Sequence, residues 1–565
     1  MITTTFRTSA IAKAVTMIVF ASGLSLTAGQ AEAKKGTVVL DDSERIAALV
    51  ELGKEVFFDP ISKPKGKQSC SSCHDPVSGW TGPTSDTNLV EVAQPGADIH
   101  KDPGARGGLK PPTNAYATLI PPFATAAGPV PAFGGTFWNG RAEGADPQFP
   151  EGATAHIFLE DVIKANDSQG FKAAVMKFIG PVADQALNPF PNPVEQNIRE
   201  KAACQQVNKA DYAHLFTDAW GERIKCDQNN YSTSFKRIAV ALAAYQDSPE
   251  VNSFSSKRDN ALRDELACMS AQDIQALPWV QRLEEGESVE SVLSRFGLAL
   301  DDLETCADGL PDATPGQFPL AGLSPQENWG HDLFYANSVQ FGPPRPLPIQ
   351  PGAFATCDAA GNTFPDGIEL TEARLGAGCS LCHSNNPGAD NGSEPLQTYA
   401  DHGYHNIGTP VNFEIPGNVA SDIGLAGHTG NDGHIGQVKA PTLRNVDKRP
   451  SPNFVKAYAS NGWFKSLESI VHFYNTSFVK TADNNVNHSV TRCPDGVTTE
   501  AEAIALGDDG LPACWPAPGH DNGVSFNAAG SVGRLTGNLG LSTCDEEALV
   551  AYLKTLTDEA VVELP

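Results

Sequence analysis

Two five-residue stretches of this chain can do the same chemistry. Cys70-Ser71-Ser72-Cys73-His74 and Cys379-Ser380-Leu381-Cys382-His383 both read Cys-x-x-Cys-His. Thiols at that spacing can bond the vinyl-derived carbons of a haem, and the histidine that follows is then placed to bind its iron. A disulfide or half of a zinc site would use the same cysteines. Two copies in one chain favour two covalently bound haem c groups, with His74 and His383 as iron ligands. The other axial position decides function. An iron filled on both sides carries electrons, and one with an open side can take peroxide or dioxygen. Methionine, a common second ligand of electron-transfer haem, occurs only at Met1, Met17, Met176 and Met269. The second haem is therefore expected to lack a methionine from its own half.

The elements around the two motifs echo each other. Leu52-Gly53-Lys54-Glu55-Val56-Phe57-Phe58 precedes the first motif and Trp329-Gly330-His331-Asp332-Leu333-Phe334-Tyr335 the second. This looks like an internal duplication, so the fold expected is mainly α, with two cytochrome-c-like haem domains, long loops and insertions. Apolar periodicity predicts helices over 234–246, with Ile238, Leu242 and Tyr245 on one face, and over 545–557. A shorter helix is expected over 466–474, capped by Ser466. Gly-, Pro- and Asn-rich stretches at 100–135, 340–375, 384–440 and 480–540 read as loops. The division expected is a leader over 1–33, a first haem domain over 34–265, an insertion or linker over 266–320, and a second haem domain over 321–565.

The leader reads as a secretion signal. Arg7 and Lys13 precede an apolar run, and Ala31-Glu32-Ala33 has the form of a cleavage site. The mature chain is then expected in the periplasm, without a membrane span. Eight cysteines lie outside the haem motifs, an even number that suits disulfides in an exported protein. Proximity favours Cys204–Cys226, Cys268–Cys306 and Cys493–Cys514, which leaves Cys357–Cys544. Asp and Glu number 67 against 40 Lys and Arg, a formal charge of −27. That balance argues against nucleic acid as a partner and suits a basic protein partner.

Several further motifs resemble those of the bacterial dihaem cytochrome c peroxidases and, within them, the MauG-like branch. They are Phe137-Trp138-Asn139-Gly140-Arg141, Asn192-Pro193-Val194-Glu195, Lys439-Ala440-Pro441-Thr442-Leu443-Arg444-Asn445-Val446, the run from Asn461-Gly462 to Ser466-Leu467-Glu468, and the closing stretch 549–557. The resemblance implies that the haem on His74 is the peroxidatic one. Glu195 would be the carboxylate that moves the peroxide proton, and Trp138 the bridge between the haems. Arg444 would pair with a haem propionate or form a structural ion pair. Asn114, with carbonyls near Val455 and Ala457, would help hold a calcium ion.

Two positions depart from the better-known peroxidases. Tyr474 stands where they carry a methionine, as in MauG-like members, and its phenol is a hard donor that would stabilise oxidised iron. His472 is the rival ligand, pointing roughly 200° away on a helix. Ser460 replaces a histidine. No histidine follows shortly after His74 except His100, so the first haem is expected open at rest unless His100 caps it. The resemblance implies an oxidoreductase that reduces hydrogen peroxide with electrons from a small cytochrome c or cupredoxin. The alternatives are a MauG-like oxidant of a partner protein's side chain, a dioxygen-using dihaem oxygenase, and a non-catalytic dihaem electron carrier.

Overall fold

The computed structural model describes most of the chain from Leu40 to Pro565. Outside it lie 1–39, 84–106, 337–375, 415–421, 478–491 and 521–536, with breaks of five residues or fewer elsewhere. The leader, His100 and Cys357 fall outside the described residues. No helix among those described is long and apolar enough to cross a membrane.

The helices that position the two motifs are α1 (Asp42–Phe58), α2 (Tyr231–Gln246), α3 (Lys257–Cys268), α4 (Pro325–Tyr335), α5 (Leu467–Thr476) and α6 (Thr543–Lys554). Their starts are written locally. Asp41, Ser256, Ser324, Ser466 and Ser542 each accept a main-chain N–H from the first turn with a side-chain oxygen. Strands are as scarce as the sequence suggests. β1 (Ala124–Thr125) pairs antiparallel with β2 (Ala132–Phe133), and β3 (Tyr404–His405) with β4 (Val438–Lys439).

Two hydrophobic cores form. The first gathers Leu49, Leu52, Val56 and Phe57 of α1 with Phe235, Ile238, Leu242 and Tyr245 of α2. The second gathers Trp329, Leu333 and Phe334 of α4 with Val471 of α5 and Leu549, Tyr552 and Leu553 of α6. The echo between the halves is one of packing. Gly53 lets α1 approach α2 so closely that an added Cβ would stand 1.9 Å from the carbonyl oxygen of Ala241 and 2.9 Å from Cβ of Tyr245. Gly330 does the same for α4 on α6, at 1.9 Å from Ala548 O and 2.8 Å from Cβ of Tyr552.

Two stretches are more ordered than their composition suggests. Residues 266–320, read as an insertion or linker, fold short helices at Ala271–Gln275 and Val289–Arg295. These lay Ile274, Val292 and Leu293 into the first core, and Trp279, from a 3-10 turn between them, joins it. Within 480–540, read as loop, Glu500–Ile504 is helical and Trp515 is buried in the second core. Disulfides join Cys204–Cys226, Cys268–Cys306 and Cys493–Cys514, the three pairs that proximity favoured. Cys544 is disulfide-bonded as well.

Candidate active site

Each Cys-x-x-Cys-His motif sits on a single 3-10 turn, Cys70–Ser72 and Cys379–Leu381. None of the four cysteines forms a disulfide. Both histidines are oriented alike. His74 Nδ1 donates to the carbonyl of Trp80 at 3.2 Å. His383 Nδ1 faces the carbonyls of Tyr399 at 3.2 Å and Pro441 at 3.1 Å. Trp80 and Tyr399 take positive φ values of 62° and 56°, which aim those carbonyls. With Nδ1 so engaged, Nε2 is the atom left to bind a metal. Burial lowers both imidazole pKa values, that of His74 to about 4, so the neutral, ligating form prevails.

A cavity of about 340 Å³ opens beside Cys70, Cys73 and His74. A second, of about 220 Å³, opens beside Cys379, Cys382 and His383. The residues present fit a covalently held haem in each. The thiols face the cavities in apolar surroundings that push Cys70 and Cys379 up to about 12. The buried amide of Gln196 reaches the first cavity without a protein partner, and Lys110 lines the same cavity. Cys382, Asp401 and His405 also converge within metal-binding reach. Cys382 is one of the motif thiols, so that trio belongs to the second cavity rather than to a separate ion.

The first cavity collects the residues that the sequence singled out. Glu195 lines it, held by its own turn. The Asn192 side chain accepts from Val194 N at 3.1 Å and donates to Glu195 Oε1. Burial raises the Glu195 pKa, and the Arg141 charge and the Asn192 hydrogen bond pull it back down. Arg141 lies 3.5 Å over the Phe137 ring and acts electrostatically on both Glu195 and Asp422, which lines the same cavity. Asn114 is in this wall too.

Trp138 belongs to the wall of both cavities. Its indole N–H donates to the carbonyl of Lys110 at 2.8 Å, and its own carbonyl accepts from Lys439 N at 3.0 Å on β4. Lys110 borders both cavities as well. Of the two rivals, Tyr474 and not His472 is in the wall of the second cavity. Burial and the two motif cysteines hold the Tyr474 phenol well above its ordinary range. His472 turns away, its Nδ1 3.0 Å from Glu546 Oε2 and its ring centroid 5.9 Å from that of Trp515. Ser460 borders the second cavity and accepts Lys110 N with its carbonyl at 2.8 Å.

For Arg444 the sequence left two roles open, a propionate partner or a structural ion pair, and an ion pair with Asp259 is present. Arg444 lines the second cavity, and its guanidinium is engaged: Nη1 and Nη2 donate to the two oxygens of Asp259, and Nε donates to Gln397 O at 2.6 Å. These bonds use three of the five guanidinium N–H groups. The residues that sequence reasoning missed are Lys110, Gln196, Asp422, His405 and Asp259. Arg141 was quoted in a motif without a role. Each is contributed by chain remote from the motif it serves, so no local spacing marks it.

Comparison with known proteins agrees with this arrangement. Residues 47–267 match the family described as di-haem cytochrome c peroxidase. The methylamine utilization protein MauG of Paracoccus denitrificans is 24% identical over 520 residues, covering 90% of this chain and 89% of that one. The crystal structure of the diheme peroxidase BthA from Burkholderia thailandensis aligns with a TM-score of 0.51 at 21% identity, covering 90% of this chain and 86% of that one. The paired motifs and the two matching helix crossings agree with these similarities, and the chain resembles the bacterial dihaem cytochrome c peroxidase and MauG proteins over most of its length.

Proposed function

We propose that this oxidoreductase reduces hydrogen peroxide to water at the cavity of Cys70, Cys73 and His74, outside the cytoplasm. Electrons would come from a small redox protein such as a cytochrome c or cupredoxin. Per turnover, one peroxide takes up two electrons and two protons and leaves as two waters. Bound haem would supply an open iron face for peroxide at the first cavity and a second electron-exchanging centre at the other.

The chain's own residues supply orientation and proton movement. His74 presents Nε2 because Nδ1 is tied to Trp80 O. Glu195 Oε2 is free to take a proton from the near oxygen of peroxide and return it to the departing one, while Asn192 holds Oε1. Burial raises the Glu195 pKa, and the Arg141 charge opposes that rise. Trp138, common to both cavity walls, shortens the electron's path between them. The observation that carries the reading is Glu195 inside the cavity of His74, in a wall that continues into the second cavity.

Tyr474 favours one second reading. A phenol in the second cavity suits an enzyme that stores oxidising equivalents and spends them on a side chain of a partner protein. Mixing the diferric protein with peroxide and then with reduced cytochrome c separates the two. Rapid multiple turnover of the cytochrome, lost in Glu195→Gln, supports the peroxidase. A long-lived oxidised spectrum with no cytochrome turnover supports the second reading. Absence of any reaction with peroxide, before or after reduction, sinks both.

A further inference from the structure

A calcium ion was expected where Asn114 meets carbonyls near Val455 and Ala457, between the two cores. The seam holds ammonium groups instead. Lys456 is 3% exposed, and its Nζ donates to three main-chain carbonyls: Ser78 at 2.9 Å, Asn445 at 2.8 Å and Lys448 at 3.0 Å. An ammonium has three donors, so this one is fully satisfied. Ser78 follows the first haem motif, whereas Asn445 and Lys448 follow the second. The contact therefore ties one half of the chain to the other, as a bridging metal ion would.

The backbone makes room for it. Gly79 has φ of 77°, and an added Cβ would stand 3.2 Å from Lys456 Nζ and 2.9 Å from Cβ of Asn445. The Gly79 carbonyl accepts from Thr113 Oγ1 at 2.8 Å, beside Asn114. A second ammonium, Lys110, acts on Lys456, and the residue borders both cavities. The carboxylate that acts on Lys456 is Asp447, and its Oδ1 is already taken by Arg449 and Tyr458. Calcium needs six to eight oxygen ligands, usually with carboxylates among them. One neutral side chain, in a seam that already carries two ammonium groups, does not fit it.

We propose that the seam carries a built-in cation: Lys456 ties the two cores through their carbonyls, Lys110 in the wall of both cavities would lend its charge to bound haem, and the chain takes no calcium there. The Lys110 half rests on the haem reading, and the calcium half does not.

The test uses the purified holoprotein, dialysed against EGTA and analysed for iron and calcium together. Iron content reports on the haem reading separately. The expected result is less than about 0.1 calcium per chain, with optical and EPR spectra unchanged by EGTA or by added calcium chloride. One calcium per chain that resists dialysis overturns the calcium half, as does a spectrum altered by EGTA and restored by calcium. Lys110→Gln should lower the reduction potential of both haems, because a positive charge is lost beside them, and Lys110→Arg should restore it. Unchanged potentials in Lys110→Gln overturn the Lys110 half.

Discussion

Arg444 and Asp259 close a two-pronged ion pair across the two halves of the chain, both side chains fully buried, with Arg444 Nη2 3.0 Å from Asp259 Oδ1. Asp259 lies in the first turn of α3, where it also completes the cap with Ser256 and accepts from Arg258 at 3.0 Å. The Arg444 guanidinium lies over Phe254 at 4.7 Å and Tyr399 at 5.6 Å, one ring from each half.

Asp259→Asn would leave two buried guanidinium groups short of charge. A broken buried pair of this kind costs about 3–5 kcal/mol. The exposed pair Lys554–Glu468, with 46% and 45% of each side chain accessible, should cost under about 1 kcal/mol on Glu468→Gln. Denaturant unfolding of the two variants compares them directly. The neighbouring arginines hold Asp259 well below the usual carboxylate range. Its contribution is therefore complete above pH about 4 and is lost as pH falls further. Wild type should lose more stability below that pH than Asp259→Asn does.

The second prediction concerns Arg141 and Glu195. Burial raises the Glu195 pKa and Arg141 opposes the rise. A base must be ionised to accept a proton, so the rate of reaction with peroxide should fall as pH drops through that pKa. Arg141→Gln removes the opposing charge, lifts the pKa and moves the acid limb of the pH–rate profile to higher pH. Glu195→Gln should lower the plateau by roughly 10²–10⁴-fold. Stopped-flow mixing across pH measures both. An acid limb unmoved in Arg141→Gln would show that Glu195 is not the titrating group.

How far the sequence could be read depended on whether an interaction is local. The Cys-x-x-Cys-His turns, the Asn192–Glu195 contact and the serine caps are encoded within a few residues, and of the caps the one at Ser466 was expected from the sequence. Helical geometry likewise separates Tyr474 from His472, two residues apart, and Tyr474 is the one in the cavity wall. Arg444 could not be assigned. Its partner Asp259 lies far away in sequence, and a guanidinium suits a propionate and an aspartate equally. The order in 266–320 was hidden for a related reason. Its helices are short, and their apolar residues gain definition only against the first core. Lys456 gave no signal, since a lysine between apolar residues reads as surface until its three carbonyl partners are seen.

At the second cavity, Tyr474 and His472 should respond differently to substitution. Tyr474→Phe removes the phenol oxygen from the cavity and should change the optical and EPR signature of one haem while leaving the fold intact. His472→Asn removes the contact with Glu546 but nothing from the cavity. It should lower thermal stability by about 1–3 kcal/mol, the usual cost of stranding a buried hydrogen-bonding group, and leave the haem spectrum unchanged. A spectral change in His472→Asn, with none in Tyr474→Phe, would reverse the assignment.

The helix crossings that place the two motifs make the last prediction. Gly53 and Gly330 both lie inside helices, where replacing glycine by alanine normally stabilises by up to about 1 kcal/mol. Here the new carbon would meet a carbonyl oxygen of the facing helix at 1.9 Å in each case, and that oxygen belongs to backbone, which cannot swing aside. Overpacking of this kind costs about 1–3 kcal/mol, occasionally more, so packing outweighs propensity and both variants should be destabilised. Gly427→Ala is the control. Its added carbon would meet only Cγ1 of Ile423, at an ordinary 3.5 Å, and should be near neutral or slightly stabilising. Denaturant midpoints of the three variants decide. Comparable losses at Gly53 and Gly330 would show that each half seats its haem motif by the same close crossing. A loss at one glycine alone would mean that the other helix pair can slide apart to admit the methyl group.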